Sequence, residues 1–116
     1  MPAVHRRFNE AELDSLAVSS VTEAEVFYGV ANQPGAKRLW TAAQGFFAVA
    51  NVVSWDSDAA RTYGQMRADQ ERKGRPLSVE DLMIAAHALS LGLTLVTHDK
   101  AFSFVDGLKT EDWTIA

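Results

Sequence analysis

Three carboxylates stand where a hydrolytic metal site would need them. Glu25 lies one turn into a helix expected after an early strand, Asp81 lies one turn into the helix expected before the strand 93–97, and Asp99 follows that strand's end. Carboxylates gathered in this way repel one another unless a cation holds them. Hard oxygen donors, in a chain with no Cys and 3 His, select Mg²⁺ or Mn²⁺. Such a centre suits phosphodiester hydrolysis, because the ion can acidify a water and polarise a phosphoryl oxygen without any protein nucleophile. Each acid also has a structural role open to it. Glu25 is the fourth member of a capping box opened by Thr22, and Asp81 holds the same position after Ser78, where a carboxylate steadies a helix start. Asp99 reads equally as a turn residue.

The other polar candidates point to less. His87 sits inside the Ala-rich run Ile84-Ala-Ala-His-Ala-Leu89 and reads as a packed or partly exposed histidine, whereas His98 adjoins Asp99 within reach of a substrate phosphate. Asp56 and Asp58 read as helix N-terminal charges. The chain has no Ser/His/Asp order, glycine-rich phosphate loop or paired-His zinc motif. Arg61, Arg67, Arg72, Lys73 and Arg75 follow one expected helix toward a turn and read as a solvated face, although Arg72-Lys73-Gly-Arg75 could meet a phosphate backbone.

Those residues must be carried by regular elements, and the hydrophobic spacing supplies them. Asn9-Glu-Ala-Glu12 has a capping-box pattern for a short helix, followed by an apolar, β-branched strand over 17–21. Thr22 is expected to open a second helix, ended by Pro34-Gly35. Leu39, Trp40, Ala43, Phe46 and Phe47 predict a helix over 36–48, with a strand over 49–53 behind it. Asp56 is the natural N-cap of a helix over 57–73, stopped by Gly74-Arg-Pro76. Ser78 opens a helix through Leu91, Gly92 ends it, and the strand Leu93-Thr-Leu-Val-Thr97 follows. A loop or short helix over 100–105 leads to a last strand near Trp113-Thr-Ile115. Strands alternating with helices, and apolar on both faces, predict one α/β domain over 1–116 with a parallel sheet covered on two sides, and ligands gather beyond the carboxyl ends of such strands.

Composition narrows the function classes. With 47% hydrophobic and 22% charged residues in 116, the chain is ordinary for one compact domain and too apolar for a disordered tail. Its 11 Lys and Arg against 15 Asp and Glu give a net charge of −4, which excludes a strongly basic nucleic-acid coat. The absence of Cys removes a disulfide framework, a thiolate zinc site and a cysteine nucleophile. No apolar run approaches a membrane span and no signal segment is evident at the start, so the expected compartment is the cytoplasm.

An ordered set of motifs then adds a resemblance. Val18-Ser-Ser-Val-Thr22-Glu-Ala-Glu25-Val-Phe-Tyr-Gly29, Gly74-Arg-Pro-Leu-Ser-Val-Glu-Asp81-Leu-Met-Ile-Ala-Ala-His-Ala88 and Leu95-Val-Thr97-His-Asp99-Lys-Ala-Phe102, closed by Gly107-Leu and Asp112-Trp113, resemble the PIN domain of VapC-type toxins. Each motif alone is loose; their order from about Ala17 to Trp113 is specific. The resemblance implies a three-layer α/β/α fold, Mg²⁺- or Mn²⁺-dependent endoribonuclease activity on RNA, a VapB-type antitoxin partner and a homodimer. It places Glu25, Asp81 and Asp99 as the metal-binding acids, with Thr97 as the threonine that supports the site.

The resemblance departs from the family at the start. Family members begin with an apolar strand ending in a metal-binding Asp, whereas this chain opens Met1-Pro-Ala-Val-His-Arg-Arg-Phe8. Leu13-Asp14-Ser15 precedes a strand instead of ending one, so Asp14 is not the counterpart. A chain shortened at its N-terminus is therefore expected to lack the central strand, to show a gap or a closed-up sheet between the strands at 17–21 and 93–97, and to have impaired activity. A second reading is a non-catalytic module in which Tyr28, Trp40 and Phe46 serve an antitoxin or dimer surface. A third, a phosphoacceptor on a flavodoxin-like sheet using Asp56, is disfavoured because no acid pair ends the first strand and no lysine ends a late one.

Overall fold

The computed structural model describes residues 17–75 and 77–112. They fall into two compact units, residues 17–54 and residues 55–112. The expected helix at Asn9-Glu-Ala-Glu12, Asp14 and the strand near Trp113-Thr-Ile115 lie outside the described residues.

The first unit contains β1 (Val18–Ser19), α1 (Ser20–Ala31), α2 (Lys37–Val49) and β2 (Val52–Val53). β1 and β2 run parallel, with Val18 opposite Val52 and Ser19 opposite Val53. The strands are shorter than the apolar runs suggested. Ser19 has extended backbone and its side chain accepts the Val21 N–H, which makes it the N-cap and draws Ser20 and Val21 into the helix. At the other end Val49 remains helical, so only Val52 and Val53 are left to pair. α1 and α2 meet through aromatic rings: Phe27 lies 4.9 Å from Trp40 and 5.5 Å from Phe47, and Phe46 packs edge-on to Phe47 at 5.0 Å.

The second unit contains α3 (Ser57–Arg72), α4 (Val79–Leu91), β3 (Leu95–Val96), a 3₁₀ helix (Lys100–Phe104) and β4 (Thr110–Glu111). Asp56 caps α3 as its sequence position suggested, its carboxylate accepting the Ala59 N–H at 3.0 Å. α3 packs along α4, and Ala59, Ala85 and Ala86 are fully buried because a methyl group is all that a close helix approach admits. Met66, Leu82, Ala85, Ala86, Phe102 and Val105 form the core, joined at its edge by Tyr63, Leu77, Leu89, Leu95 and Leu108. Trp55 donates its indole N–H to the Met83 carbonyl at 2.9 Å and packs edge-on against Tyr63, tying the start of α3 to the middle of α4. Gly92 ends α4 at φ +67°, the left-handed conformation that a glycine takes without a Cβ clash.

β3 and β4 are also parallel, with Leu95 opposite Thr110 and Val96 opposite Glu111. The expected strand 93–97 is therefore paired over two residues only, opposite Thr110 and Glu111. Leu93 and Val96 are each 43% exposed, a correction to the expectation of strands buried on both faces. The physical reason is that a two-stranded pair has two open edges and too little width to be covered throughout. β1 and β3 belong to different pairs. Within these limits the architecture is an α/β fold of helices and parallel strands.

Candidate active site

The three acids occupy different local settings, and the capping roles open to them resolve differently. Glu25 is not at the N-terminus of its helix: α1 begins at Ser20, so Glu25 lies in the second turn, exposed, and the capping box assigned to Thr22 is replaced by the Ser19 cap. A carboxylate that far along cannot satisfy the open N–H groups of the first turn. Asp81 does lie in the first turn of α4, and its own N–H donates to the Ser78 hydroxyl at 3.1 Å. Its helix-start role is real, and its half-exposed carboxylate projects from a fixed turn.

Asp99 is itself a cap. One carboxylate oxygen accepts the Ala101 N–H at 2.9 Å and starts the 3₁₀ helix, while the Asp99 N–H donates to the Thr97 hydroxyl at 3.1 Å. Thr97 thus fixes the backbone of Asp99. Phe102, 5% exposed, anchors the far side of the same short helix in the core.

The acids of the second unit divide by their partners. Asp58 pairs with Arg61 at 2.6 Å, Glu71 with Arg67 at 2.9 Å, Asp69 with Arg72, and Asp106 with Lys73 and, at 3.7 Å, Arg75. Asp81 and Asp99 have no Lys or Arg partner among the described residues. Oxygen donors without a neutralising side chain are the donor set that a hard divalent cation accepts. No group of three His, Asp or Glu among the described residues is arranged to hold an ion. Glu25 belongs to the first unit and Asp81 and Asp99 to the second.

The basic residues are consumed internally. Besides its pairing with Glu71, Arg67 donates to the Tyr63 hydroxyl at 2.9 Å, and these two contacts raise its pKa further above the ordinary arginine value. Arg75 donates to the Phe104 carbonyl at 3.0 Å and lies 5.9 Å from the Phe104 ring. The buried amide of Gln70 donates to the Arg75 carbonyl at 3.3 Å, and the Arg75 N–H returns a bond to the Gln70 carbonyl at 2.9 Å. The Lys73 hydrogen bond, ahead of its charge, lowers the pKa of Asp106. Lys73 and Arg75 therefore tie the end of α3 to the segment 104–106, while Arg72 pairs with Asp69 within α3. His87 is 2% exposed within α4 and packed, as its Ala-rich setting suggested, while His98 is exposed beside Asp99.

Sequence reasoning missed two positioning groups. The Ser19 cap was hidden because Thr22-Glu-Ala-Glu25 offers a competing capping box of the same pattern. The Trp55 bond to Met83 spans 28 positions, and only the adjacency of Trp55 to the Asp56 cap hinted that the indole stands at a helix start.

Comparison with known proteins gives a consistent answer. The PIN domain family model matches residues 2–108. The tRNA(fMet)-specific endonuclease VapC of Shigella flexneri is 40% identical over 113 residues, covering 97% of this chain and 85% of that protein. The crystal structure of DNA-bound VapBC from Salmonella typhimurium superposes with a TM-score of 0.90 at 36% identity, over 96% of this chain and 84% of that one. VapBC-1 from nontypeable Haemophilus influenzae gives a TM-score of 0.89 at 28% identity, over 98% and 87%. PIN-domain VapC nucleases are generally dependent on divalent metal ions, in keeping with the hard carboxylate donors described above. On the length of the match and the level of identity, this chain belongs to the PIN-domain family and, within it, to the VapC ribonucleases.

Proposed function

We propose that the chain is the endoribonuclease toxin of a toxin–antitoxin pair, hydrolysing RNA phosphodiesters with Mg²⁺ or Mn²⁺ held by Glu25, Asp81 and Asp99. The observation that supports the site is that, among the described residues, acids along α3 and Asp106 are matched by arginine or lysine, whereas Asp81 and Asp99, like Asp56 and Glu80, have no Lys or Arg partner. When bound, the ion supplies Lewis-acid stabilisation of the phosphodiester and activation of water. Asp81 offers its carboxylate from a capped first turn. Asp99 offers the carboxylate oxygen that the Ala101 N–H does not occupy, and Thr97 holds the Asp99 backbone in place. Glu25 contributes a carboxylate that has no capping duty.

The family match runs across both compact units, which supports reading residues 1–116 as one PIN-like domain. The Shigella relative is named for its specificity toward tRNA(fMet), and tRNA is accordingly the substrate class to test first. The partner is a VapB-type antitoxin, by analogy with the VapBC complexes that this fold matches, and the homodimer is what the resemblance to the family implies. Exposed apolar side chains on α1 and α2 support a partner surface: Tyr28 is 73% exposed, Phe46 47% and Trp40 40%. No helix among the described residues is long and apolar enough to cross a membrane, and the proposed site of action is the cytoplasm.

Asp81→Asn tests the assignment, because the amide keeps the shape of the carboxylate and loses the charge that holds the cation. With Mg²⁺ or Mn²⁺ a version that also carries the family's apolar first strand should cleave RNA to 5′-phosphate ends, the chain as given should cleave it weakly, and Asp81→Asn in the extended version should lose at least about two orders of magnitude of rate with an unchanged circular dichroism spectrum. Growth arrest on expression should be relieved by a co-expressed antitoxin. Cleavage by the variant that is undiminished and insensitive to EDTA would sink the mechanism.

A further inference from the structure

We propose that the cleft between the end of α3 and the start of α4 holds one base of the RNA, and that it favours a base carrying an exocyclic amino group. The inference rests on reading the chain as an enzyme that acts on RNA, and it does not depend on a bound cation. The cleft lies within the second unit and has a volume of about 390 Å³, in the range of small-molecule pockets. Its lining is partly apolar: Leu77 and Leu82 belong to the core packing, and Val79, 46% exposed, remains open to solvent. Arg67 and Arg75 line it as well. Each guanidinium is already held, Arg67 by Glu71 and the Tyr63 hydroxyl and Arg75 by the Phe104 carbonyl, so a ligand meets planar groups that it need not order. Their side chains are still 48% and 41% exposed, which leaves surface for a base to stack on.

Gln70 is the polar group that selects the base. It is 4% exposed and lines the cleft. The Arg75 carbonyl can only accept, so the Gln70 amide nitrogen faces it at 3.3 Å, and the amide oxygen is left as an acceptor to which no described residue donates. A buried side chain with its acceptor unused gains most from a donor that a ligand brings. Cytosine and adenine present an amino donor on the edge where uracil presents a carbonyl acceptor, so the Gln70 oxygen pairs with the first two and opposes the third. Among the lining residues two arginines stand against one carboxylate, that of Glu71. This cationic excess suits the phosphates on either side of a seated base, and it is the reason to assign the cleft to a base within an RNA strand.

The experiment measures binding of short fluorescein-labelled oligocytidylate and oligouridylate of equal length by fluorescence anisotropy, in EDTA so that no strand is cleaved. It uses the full chain, Gln70→Met and Val79→Trp, with thermal melts of each. The native chain should bind oligocytidylate about tenfold more tightly than oligouridylate, the worth of one hydrogen bond made in place of two opposed acceptors. Gln70→Met keeps the length of the side chain and removes the acceptor, so it should bind the two oligomers alike. Val79→Trp fills the cleft from an exposed position in the first turn of α4, and should melt close to the native chain while losing the same preference. Should Gln70→Met melt early, the Val79→Trp result decides. If the native chain binds neither oligomer, the RNA reading fails and takes this inference with it. If the native chain binds both within about twofold of each other, or a folded variant keeps the native preference, the RNA reading stands and only the assignment of the cleft is overturned.

Discussion

Truncation of Phe102 to alanine should couple the core to the candidate site, because that ring anchors the short helix whose cap is Asp99. Phe102 is 5% exposed and packs in one cluster with Met66, Leu82, Ala85, Ala86 and Val105. Returning its apolar surface to the reference state costs about 1.5–3 kcal/mol in transfer free energy. The cavity left between α4 and the 3₁₀ helix adds to that, and buried Phe→Ala changes as a class total about 3–5 kcal/mol. Against a domain stability of about 5–15 kcal/mol this is a large fraction. Phe102→Leu refills most of the space and should cost under about 1.5 kcal/mol. Urea denaturation followed by tryptophan fluorescence and circular dichroism reads both, with the slopes compared to confirm that the unfolding transition is of the same kind. A loss below about 1 kcal/mol for Phe102→Ala, or equal losses for the two variants, would refute the packing argument.

Two further outcomes follow from the backbone and from charge. Gly92→Ala should destabilise by about 1–2 kcal/mol, read as a lower urea midpoint, since an added Cβ meets nothing within 4 Å and the cost is the left-handed backbone at φ +67° alone. Asp106 has a folded-state pKa depressed below its ordinary 3.8 by Lys73, so its contribution is present above that value and fades as pH falls through the lower folded value. Asp106→Asn should therefore reduce stability at neutral pH and flatten the acid limb of a stability-against-pH curve, with the difference shrinking in high salt; equal curves for the two proteins would show that the tie to Lys73 contributes nothing.

The sequence by itself determined the helices that carry the chemistry. Asp56 and Ser78 start their helices and Gly92 ends one, as their side chains and backbone freedom require, because capping is decided within a few residues. The ordered motifs that carry the family resemblance were legible as residue types at fixed spacing, and the family match over residues 2–108 bears that resemblance out. Tertiary structure decided the rest. The apolar runs at 17–21, 49–53 and 93–97 each retain only two paired residues, because a strand's length depends on the partner beside it, and no residue in the run encodes that partner. The contest between two adjacent capping sites went to Ser19, so α1 starts earlier than Thr22 would place it and Glu25 is released from helix-start duty. Lys73 and Arg75 are partnered by Asp106 and the Phe104 carbonyl, residues some 30 positions away. Charge compensation over that distance depends on how the chain turns back on itself, and local spacing carries no record of it.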